Sequence, residues 1–243
     1  MSTGNLDGRR ALIVGGSGGI GSAVAGSLHE AGVQMTLHGG HNCEKLQRLA
    51  NRFGETSGRI PGTLCARLTS LTDLDAFRPF TDVHILIVAF GPIAWTPLCS
   101  DSARTAWDDM VTMNLALPGV LAEWCLPYMV SEGFGRIVFF GATAGDERRP
   151  STEAPAYTAA KAGLSSLARS IARSHASSGV TCNVVCPGYV DTEYLDDEQR
   201  QRYRRRSPTG RLTDRTEVAR IAHVLCTTPA VNGATINASD GIL

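Results

Sequence analysis

The sequence has no excess of charge of either sign and no long run of apolar residues. Of its 243 residues 23 are basic and 23 are acidic, which gives a formal net charge of +0. A neutral balance offers no general attraction for nucleic acid or anionic lipid. No apolar run approaches the ~20 residues of a membrane span, and the first ten residues lack the apolar stretch of a secretory signal. We therefore predict a cytoplasmic protein that binds neither nucleic acid nor membrane.

The sequence also lacks the paired cysteines of a zinc site. An odd number of scattered cysteines in a chain of this size predicts reduced, mostly buried thiols rather than disulfides. The six histidines show no metal-ligand spacing, so we expect no metal site. The cysteines occupy positions 43, 65, 99, 125, 182, 186 and 226.

No linker, internal repeat or low-complexity tract divides the chain, and 43% of its residues are hydrophobic. This composition predicts a single domain over residues 1–243. Short apolar runs alternate with longer helical patterns, starting with a strand at Ala11–Val14 and a helix from about Ile20 to Ala31. Repeated alternation of this kind predicts an α/β fold, a Rossmann-type doubly wound, mostly parallel sheet with helices on both faces. Further strands are expected at 33–37, 62–66, 85–89, 137–140 and 180–185, and further helices near 43–53, 103–130, 154–176 and 217–226.

A glycine-rich turn joins the first strand to the first helix. It reads Gly15-Gly-Ser-Gly-Gly-Ile-Gly21. Glycines there permit a tight turn, let the backbone approach a pyrophosphate and present helix N-terminal N–H groups to its charge. A plain strand-to-helix connection is the alternative. The position after an apolar strand and before an amphipathic helix favours dinucleotide binding.

Tyr157 and Lys161 lie four residues apart in a helical stretch, so they share one helix face. An ammonium group beside a phenol favours the phenolate, and we expect Lys161 to lower the pKa of Tyr157. Such a pair can exchange a proton with a carbonyl oxygen. A surface helix with a snorkelling lysine is the alternative for the pair alone.

Together these segments resemble the short-chain dehydrogenase/reductase family over nearly the whole chain. The most specific match is the segment Asn183–Thr192, which is similar to the NxVxPGxVxT pattern of that family. The turn at Ser207–Leu212 resembles one found in 3-oxoacyl-carrier-protein reductases. The other matches are Gly15, Gly19 and Gly21 of the glycine turn, Asn114 in the middle of the fourth helix, the pair Tyr157 and Lys161, and the closing segment Val231–Gly233 with Asp240-Gly241.

The resemblance implies an NAD(P)-dependent oxidoreductase. Tyr157 would protonate the carbonyl oxygen, Lys161 would hold the ribose hydroxyls, and Asn114 would position a water of the proton relay. An ordinary helix asparagine is the alternative for Asn114. The implied cofactor-binding residues are Gly15, Ser17, Gly18, Gly19, Ile20, Gly21, Gly91, Tyr157, Lys161, Pro187, Gly188, Val190 and Thr192.

One departure concerns the serine that binds the substrate carbonyl in the family. Ala142 stands at its position and cannot donate a hydrogen bond. Thr143 follows directly, and we take it as the substitute in a catalytic set with Tyr157, Lys161 and Asn114. Ser151, Thr152 or no substitute at all are the alternatives. Loss of one such donor typically costs ~10²–10³ in rate.

Other departures bear on the cofactor. The segment after the fourth strand, Val88–Gly91, keeps only the glycine of the family's Asn-Asn-Ala-Gly, and Phe90 is placed to crowd the cofactor edge. Arg67 replaces the acidic residue that caps the adenine. No Asp or Glu follows the second strand to bind a ribose 2′-hydroxyl, and Gly18 stands where a basic residue often contacts the 2′-phosphate. The cofactor is NADP or NAD, with a lean to NADP.

Residues of about 190–212 correspond to the mobile substrate lid of the family, and five arginines fall within residues 200–206. A solvated helix face and a basic lid that attracts a carrier protein or coenzyme A phosphate are both possible. We expect a 3-oxoacyl thioester or another small carbonyl compound as substrate, and a homodimer or homotetramer. The competing hypothesis is a nucleotide-binding or regulatory protein of the same fold that has lost useful catalysis.

Overall fold

The computed structural model of the chain describes residues 4–100, 102–143 and 152–242. Its strands are β1 (Arg10–Val14), β2 (Gln34–Gly39), β3 (Gly62–Cys65), β4 (Ile85–Val88), β5 (Gly135–Phe140), β6 (Val180–Pro187) and β7 (Thr235–Ala238). Its α-helices are α1 (Gly19–Glu30), α2 (Cys43–Ser57), α3 (Ala103–Val111), α4 (Leu117–Ser131), α5 (Pro155–His175), α6 (Asp197–Arg206) and α7 (Arg215–Thr227). A 3₁₀-helix covers Leu71–Phe80, and another covers Ala176–Ser178.

The seven strands form one parallel sheet in the order β3-β2-β1-β4-β5-β6-β7. The predicted doubly wound architecture is therefore confirmed. The strand order reverses between β1 and β4, and the carboxyl ends of both strands open into the same crevice. In folds of this kind such a crevice is where ligands bind.

Two layers of apolar side chains cover the two faces of the sheet. Because the central strands of a parallel sheet are buried on both faces, β4 and β5 are apolar at nearly every position. One layer lies under α4 and α5 and includes Leu121, Phe139 and Leu164. The other lies under α1 and α7 and includes Leu28, Leu37 and Leu225.

The predicted helix over residues 103–130 is interrupted in the structure. Between α3 and α4 the backbone widens into one π-helical turn at Thr112–Ala116, where the Leu117 N–H donates to the Thr112 carbonyl five residues back. Pro118 has no N–H to give to the carbonyl of Asn114, which removes one bond of the regular α-helical ladder. Single π-turns inside α-helices are frequent at functional sites, and this one carries Asn114.

The prediction that all cysteines are reduced is wrong for one pair. Cys43 and Cys65 form a disulfide across a sequence separation of 22, with their Cα atoms 5.5 Å apart. Cys43 begins α2 and Cys65 ends β3, and the pairing of β2 with β3 brings these two ends together. Because tertiary structure makes this contact, spacing in the sequence gave no sign of it. Of the remaining thiols, Cys99 is exposed and the other four are buried.

Among the described residues, no helix is both long enough and apolar enough to cross a membrane. No group of three or more His, Cys, Asp or Glu side chains in the same part of the chain is arranged to hold a metal ion.

Candidate active site

The glycine turn leaves β1 at the crevice and leads directly into α1. Gly15 adopts a φ of +78°, which favours glycine, and a β-carbon added to it would lie 2.6 Å from the Ala89 carbonyl oxygen. The Gly18 N–H donates to the Gly15 carbonyl at 3.0 Å and closes the turn. Gly18 and Gly19 carry no side chain of their own, and helix α1 begins at Gly19. This backbone fits the pyrophosphate of a dinucleotide, which the N–H groups at the start of α1 would bind.

The segment that follows β6 lies against the start of α1. A β-carbon on Gly19 would lie 2.6 Å from Thr192 Cγ2, so Thr192 packs directly on the glycine turn. Glu193 is bound by Lys45 of α2 at 2.5 Å and lies 3.7 Å from the guanidinium of Arg215. The structure thus brings Thr192 to the predicted pyrophosphate site, and a salt bridge to α2 holds the segment there.

Tyr157 and Lys161 lie in the first two turns of α5. The helix starts with Pro155, whose lack of an N–H costs nothing there because the first N–H groups of a helix have no partner within it. Lys161 is 4% exposed, and its ammonium donates to the Phe140 carbonyl at 2.8 Å. The same Nζ atom lies 5.7 Å from the centre of the Tyr157 ring. The two side chains therefore share one face of α5, at the carboxyl end of β5.

The expectation that Lys161 lowers the pKa of Tyr157 is wrong for this structure. Burial, and next to it the Cys186 thiol, raise the pKa of Tyr157 to about 12. Burial lowers the pKa of Lys161 to about 8. The ammonium points at the Phe140 carbonyl, and removal from water penalises the phenolate more than this cation favours it. At neutral pH Tyr157 is therefore a phenol that carries the proton a carbonyl oxygen would need.

Asn114 is fully buried, and the π-turn aims its side chain at Lys161. Its Nδ2 donates to the Pro92 carbonyl at 2.9 Å, whereas its Oδ1 has no hydrogen-bond partner among the described residues. A β-carbon on Gly91 would collide with this Oδ1 and lie 2.6 Å from Lys161 Nζ, so Gly91 leaves the space between the two groups open. An unpaired buried acceptor beside an ammonium is a suitable place for a water molecule.

A cleft of about 600 Å³ opens beside Tyr157. Ala142, Thr143 and Thr152 line it. Thr158 also lines it, but its hydroxyl already donates to the carbonyls of Ala154 and Pro155. Ser151 lies outside the described residues. Pro187, Gly188 and Val190, which are among the implied cofactor-binding residues, also line the cleft, and Trp95 lines it from the loop after β4.

His38 is a site residue that sequence reasoning missed. It is 1% exposed, and its Nδ1 accepts the Gly15 N–H at 3.2 Å. Its Nε2 lies 2.8 Å from the Ala66 carbonyl, which fixes the proton on Nε2. Burial lowers the pKa of His38. A histidine next to the apolar Leu37 at the carboxyl end of a predicted strand was the signal that could have revealed this bridge between the glycine turn and the residue after β3.

The adenosine end of the expected dinucleotide site lies at the carboxyl ends of β2 and β3. No acidic residue directly follows β2 there. A β-carbon on Gly39 would lie 2.7 Å from Ser17 Oγ, so this position has no room for a carboxylate side chain unless Ser17 moves. Arg67 is exposed, two residues beyond β3, and forms no ion pair with any described residue. Phe90 packs against the core, with its ring 6.4 Å from that of His38.

The predicted lid contains α6, whose N-terminus has a capping box formed by Asp196 and Gln199. Arg200 is tied to Asp191 at 3.0 Å and to Asp197 at 3.3 Å. Tyr203 stacks on Tyr189 with ring centres 4.4 Å apart and planes 6° apart. Most of the arginine run is therefore either neutralised locally or exposed on the surface of α6.

Comparison with known proteins agrees with this geometry. The model of the short chain dehydrogenase family matches residues 9–203. A 3-oxoacyl-[acyl-carrier-protein] reductase of Vibrio cholerae is 32% identical over 250 residues, and "Nodulation protein G" of a Rhizobium species is 31% identical over 243 residues. In both cases 98% of this chain and 98% of the relative are covered.

Solved structures show the same fold over the whole chain. A putative gluconate dehydrogenase from Agrobacterium tumefaciens superimposes with a TM-score of 0.85 at 25% identity, covering 100% of this chain and 98% of the other. A putative NAD(P)-dependent gluconate 5-dehydrogenase from Beutenbergia cavernae, with NADP bound at low occupancy, gives a TM-score of 0.83 at 25% identity. That match covers 99% of this chain and 98% of the other.

Proposed function

The chain belongs to the short chain dehydrogenase family, and from this premise we propose that it is an NADP-dependent reductase of 3-oxoacyl thioesters. The observation that carries the proposal is the placement of Tyr157, Lys161 and the unpaired Asn114 Oδ1 beside the glycine turn, at one edge of the sheet. The choice of a 3-oxoacyl thioester follows from the relatives near 30% identity that are 3-oxoacyl-[acyl-carrier-protein] reductases.

The proposed reaction adds a hydride to the carbonyl carbon and a proton to the carbonyl oxygen, which gives a secondary alcohol. The nicotinamide, when bound, supplies the hydride and leaves oxidised. Tyr157 Oη donates the proton, and its high pKa keeps that proton in place until the oxygen becomes basic. Lys161, with a water accepted at Asn114 Oδ1, returns a proton from solvent to the phenolate. The reverse direction runs through the same groups.

Thr143 takes the place of the missing serine in this scheme. It lines the cleft together with Tyr157, and it directly follows Ala142 at the end of β5. Its hydroxyl would donate to the substrate carbonyl and help to hold it against Tyr157. Thr152, which also lines the cleft, is the alternative donor.

NADP is the proposed cofactor because the adenosine end offers cations rather than a carboxylate. No acidic residue stands at Gly39 to bind a 2′-hydroxyl, whereas Arg67 is exposed and its side chain forms no ion pair with a described residue. An arginine is well suited to a 2′-phosphate. The ratio of kcat/KM for NADPH to kcat/KM for NADH tests this choice. Arg67→Gln should lower this ratio by about tenfold. Arg52→Gln, a matched surface variant, should leave the ratio unchanged.

Purified protein mixed with NADPH and acetoacetyl thioester provides the decisive assay, followed by the nicotinamide absorbance. Turnover that disappears in Tyr157→Phe supports the proposal. Cofactor binding without turnover of any carbonyl compound would instead support the regulatory alternative, which the intact Tyr157, Lys161 and Asn114 do not favour. Sedimentation of the same sample tests the expected homodimer or homotetramer.

A further inference from the structure

The cleft beside Tyr157 has a cationic side chain that the proposed chemistry does not use. Among its described lining residues, Arg206 is the only basic one. The rest of the cleft lining is mainly apolar or aromatic, with Trp95, Tyr189, Leu195 and Tyr203 among its residues. A charged group in such surroundings is what distinguishes one small-molecule site from another.

The position of Arg206 is fixed by its place on α6. Arg206 and Tyr203 are three residues apart, so they lie on the same face of the helix. Tyr203 is anchored by its stacking on Tyr189, a residue that follows β6 and lines the same cleft. Stacking therefore turns this face of α6 toward the cleft and brings Arg206 with it.

The neighbouring arginines are occupied or lie elsewhere. Arg200 pairs with Asp191 and Asp197, and Arg202 lies 5.2 Å above the Tyr203 ring. Arg204, Arg205 and Arg206 are all exposed, but of these three only Arg206 lines the cleft. The Arg206 side chain forms no hydrogen bond or ion pair with another described residue. Glu153, the only acidic group among the described lining residues, is exposed and forms no ion pair with Arg206.

We propose that Arg206 forms an anion subsite in the substrate cleft, which binds a phosphate or carboxylate group that the substrate carries away from its reacting carbonyl. This inference rests on the proposed function for the identity of the cleft. The guanidinium offers paired N–H donors to either anion. The phosphate of a pantetheine arm and the carboxylate of a compact oxo acid are the two sources of such a group.

Three substrates and two variants test the subsite. Acetoacetyl coenzyme A carries the phosphate, the acetoacetyl thioester of N-acetylcysteamine carries no charge, and 5-keto-gluconate carries a carboxylate. Arg206→Gln should raise KM by about tenfold or more for one anionic substrate and leave kcat/KM for the neutral thioester within about twofold. Arg205→Gln, one residue away but outside the cleft, should change neither. The anionic substrate that responds identifies the source of the anion.

Equal changes for neutral and anionic substrates, or no change in Arg206→Gln, would overturn the inference while leaving the reductase intact. If the wild-type protein reduces none of the three compounds, the proposed function fails and calorimetry decides the subsite. In that case 4′-phosphopantetheine should bind the NADP⁺-loaded wild type more tightly than pantetheine does, and Arg206→Gln should remove the difference. If neither this preference nor Arg206-dependent binding of 5-keto-gluconate is observed, the subsite inference is refuted.

Discussion

The backbone N–H of Gly15 donates to Nδ1 of His38 at 3.2 Å, and this bond ties the glycine turn to the neighbouring strand. The other ring nitrogen of His38 holds the Ala66 carbonyl at 2.8 Å. One buried imidazole therefore connects the turn proposed to bind the pyrophosphate with the chain beside the adenosine end. Val88, the last residue of β4, and Ala89, which follows it, have no polar side chain that could support the turn from its other side.

Replacement of His38 should weaken both the fold and cofactor binding. In His38→Leu the Gly15 N–H and the Ala66 carbonyl would each lose the hydrogen bond to the buried imidazole. Leaving a buried polar group without a hydrogen bond costs about 1–3 kcal/mol. We expect the free energy of unfolding to fall by about 2–5 kcal/mol and the KM for NADPH to rise. His38→Asn keeps an acceptor near the Nδ1 position and should lose less. Urea unfolding and cofactor titration measure the two effects.

The same histidine should make the stability depend on pH. Its pKa is lowered in the folded protein, so between the unfolded value and the folded one only the unfolded chain takes up the proton. The contribution of neutral His38 is complete above the ordinary histidine pKa of about 6.5 and is lost as the pH falls below it. The fall in stability from pH 7 to pH 5 should be shallower in His38→Asn. The pKa of His84 is also lowered, but His84 is present in both proteins and contributes equally to both slopes. An identical slope in the two proteins would therefore show that His38 does not titrate as inferred.

Much of the fold could be predicted because its signals are local. Apolar runs and helical periodicity gave the alternation of strands and helices, and the glycine turn and the Tyr157–Lys161 spacing are each contained in a few residues. The features that were missed depend on contacts between distant segments. His38 meets Gly15 only through the pairing of β1 with β2, and Cys43 meets Cys65 only through the pairing of β2 with β3. The raised pKa of Tyr157 depends on burial, which spacing does not report.

The rate of carbonyl reduction should fall as the pH rises through about 8. Burial lowers the pKa of Lys161 to about 8, so above that pH its ammonium loses the proton that the relay returns to Tyr157. Tyr157, with a pKa near 12, keeps its proton over the same range. The pH profile of kcat/KM should therefore show one ionisation near 8. Lys161→Met should lower kcat/KM by about 10²–10⁴ and remove that ionisation.

A profile that stays flat from pH 7 to pH 10 in the wild type would contradict the assignment of this ionisation to Lys161. Circular dichroism of Lys161→Met serves as the control for folding, because removing a buried ammonium also leaves the Phe140 carbonyl without its donor.

The hydroxyl of Thr143 should be worth about 10²–10³ in kcat if it replaces the missing serine. We expect Thr143→Ala to lose that factor with unchanged thermal stability, since Thr143 lines the cleft rather than the core. Thr143→Ser keeps the hydroxyl and should retain most of the rate. Adding Ala142→Ser to Thr143→Ala should restore part of it, because it returns a donor to the family's position.

Thr152→Ala is the matched control for Thr143, because it removes a second hydroxyl from the same cleft. A loss of rate in Thr152→Ala combined with full activity in Thr143→Ala would assign the donor to Thr152 instead. Full activity in both single variants and in the double variant would mean that neither threonine binds the reacting carbonyl.

The disulfide between Cys43 and Cys65 should stabilise the adenosine side of the fold. It joins the first residue of α2 to the last residue of β3, and closing a loop of 22 residues is worth about 3 kcal/mol in the chain-entropy model. Both half-cystines are exposed, so a soluble reductant should reach them. We expect the double variant Cys43→Ser/Cys65→Ser to lower the free energy of unfolding by about 2–4 kcal/mol. Cys99→Ser, which removes an exposed thiol that forms no disulfide, should leave the free energy of unfolding unchanged.

A reductant should lower the stability of the wild type to that of the double variant and have no effect on the double variant itself. Equal stability of the wild type with and without reductant, together with seven thiols counted by mass spectrometry after alkylation, would show that this bond does not form in solution.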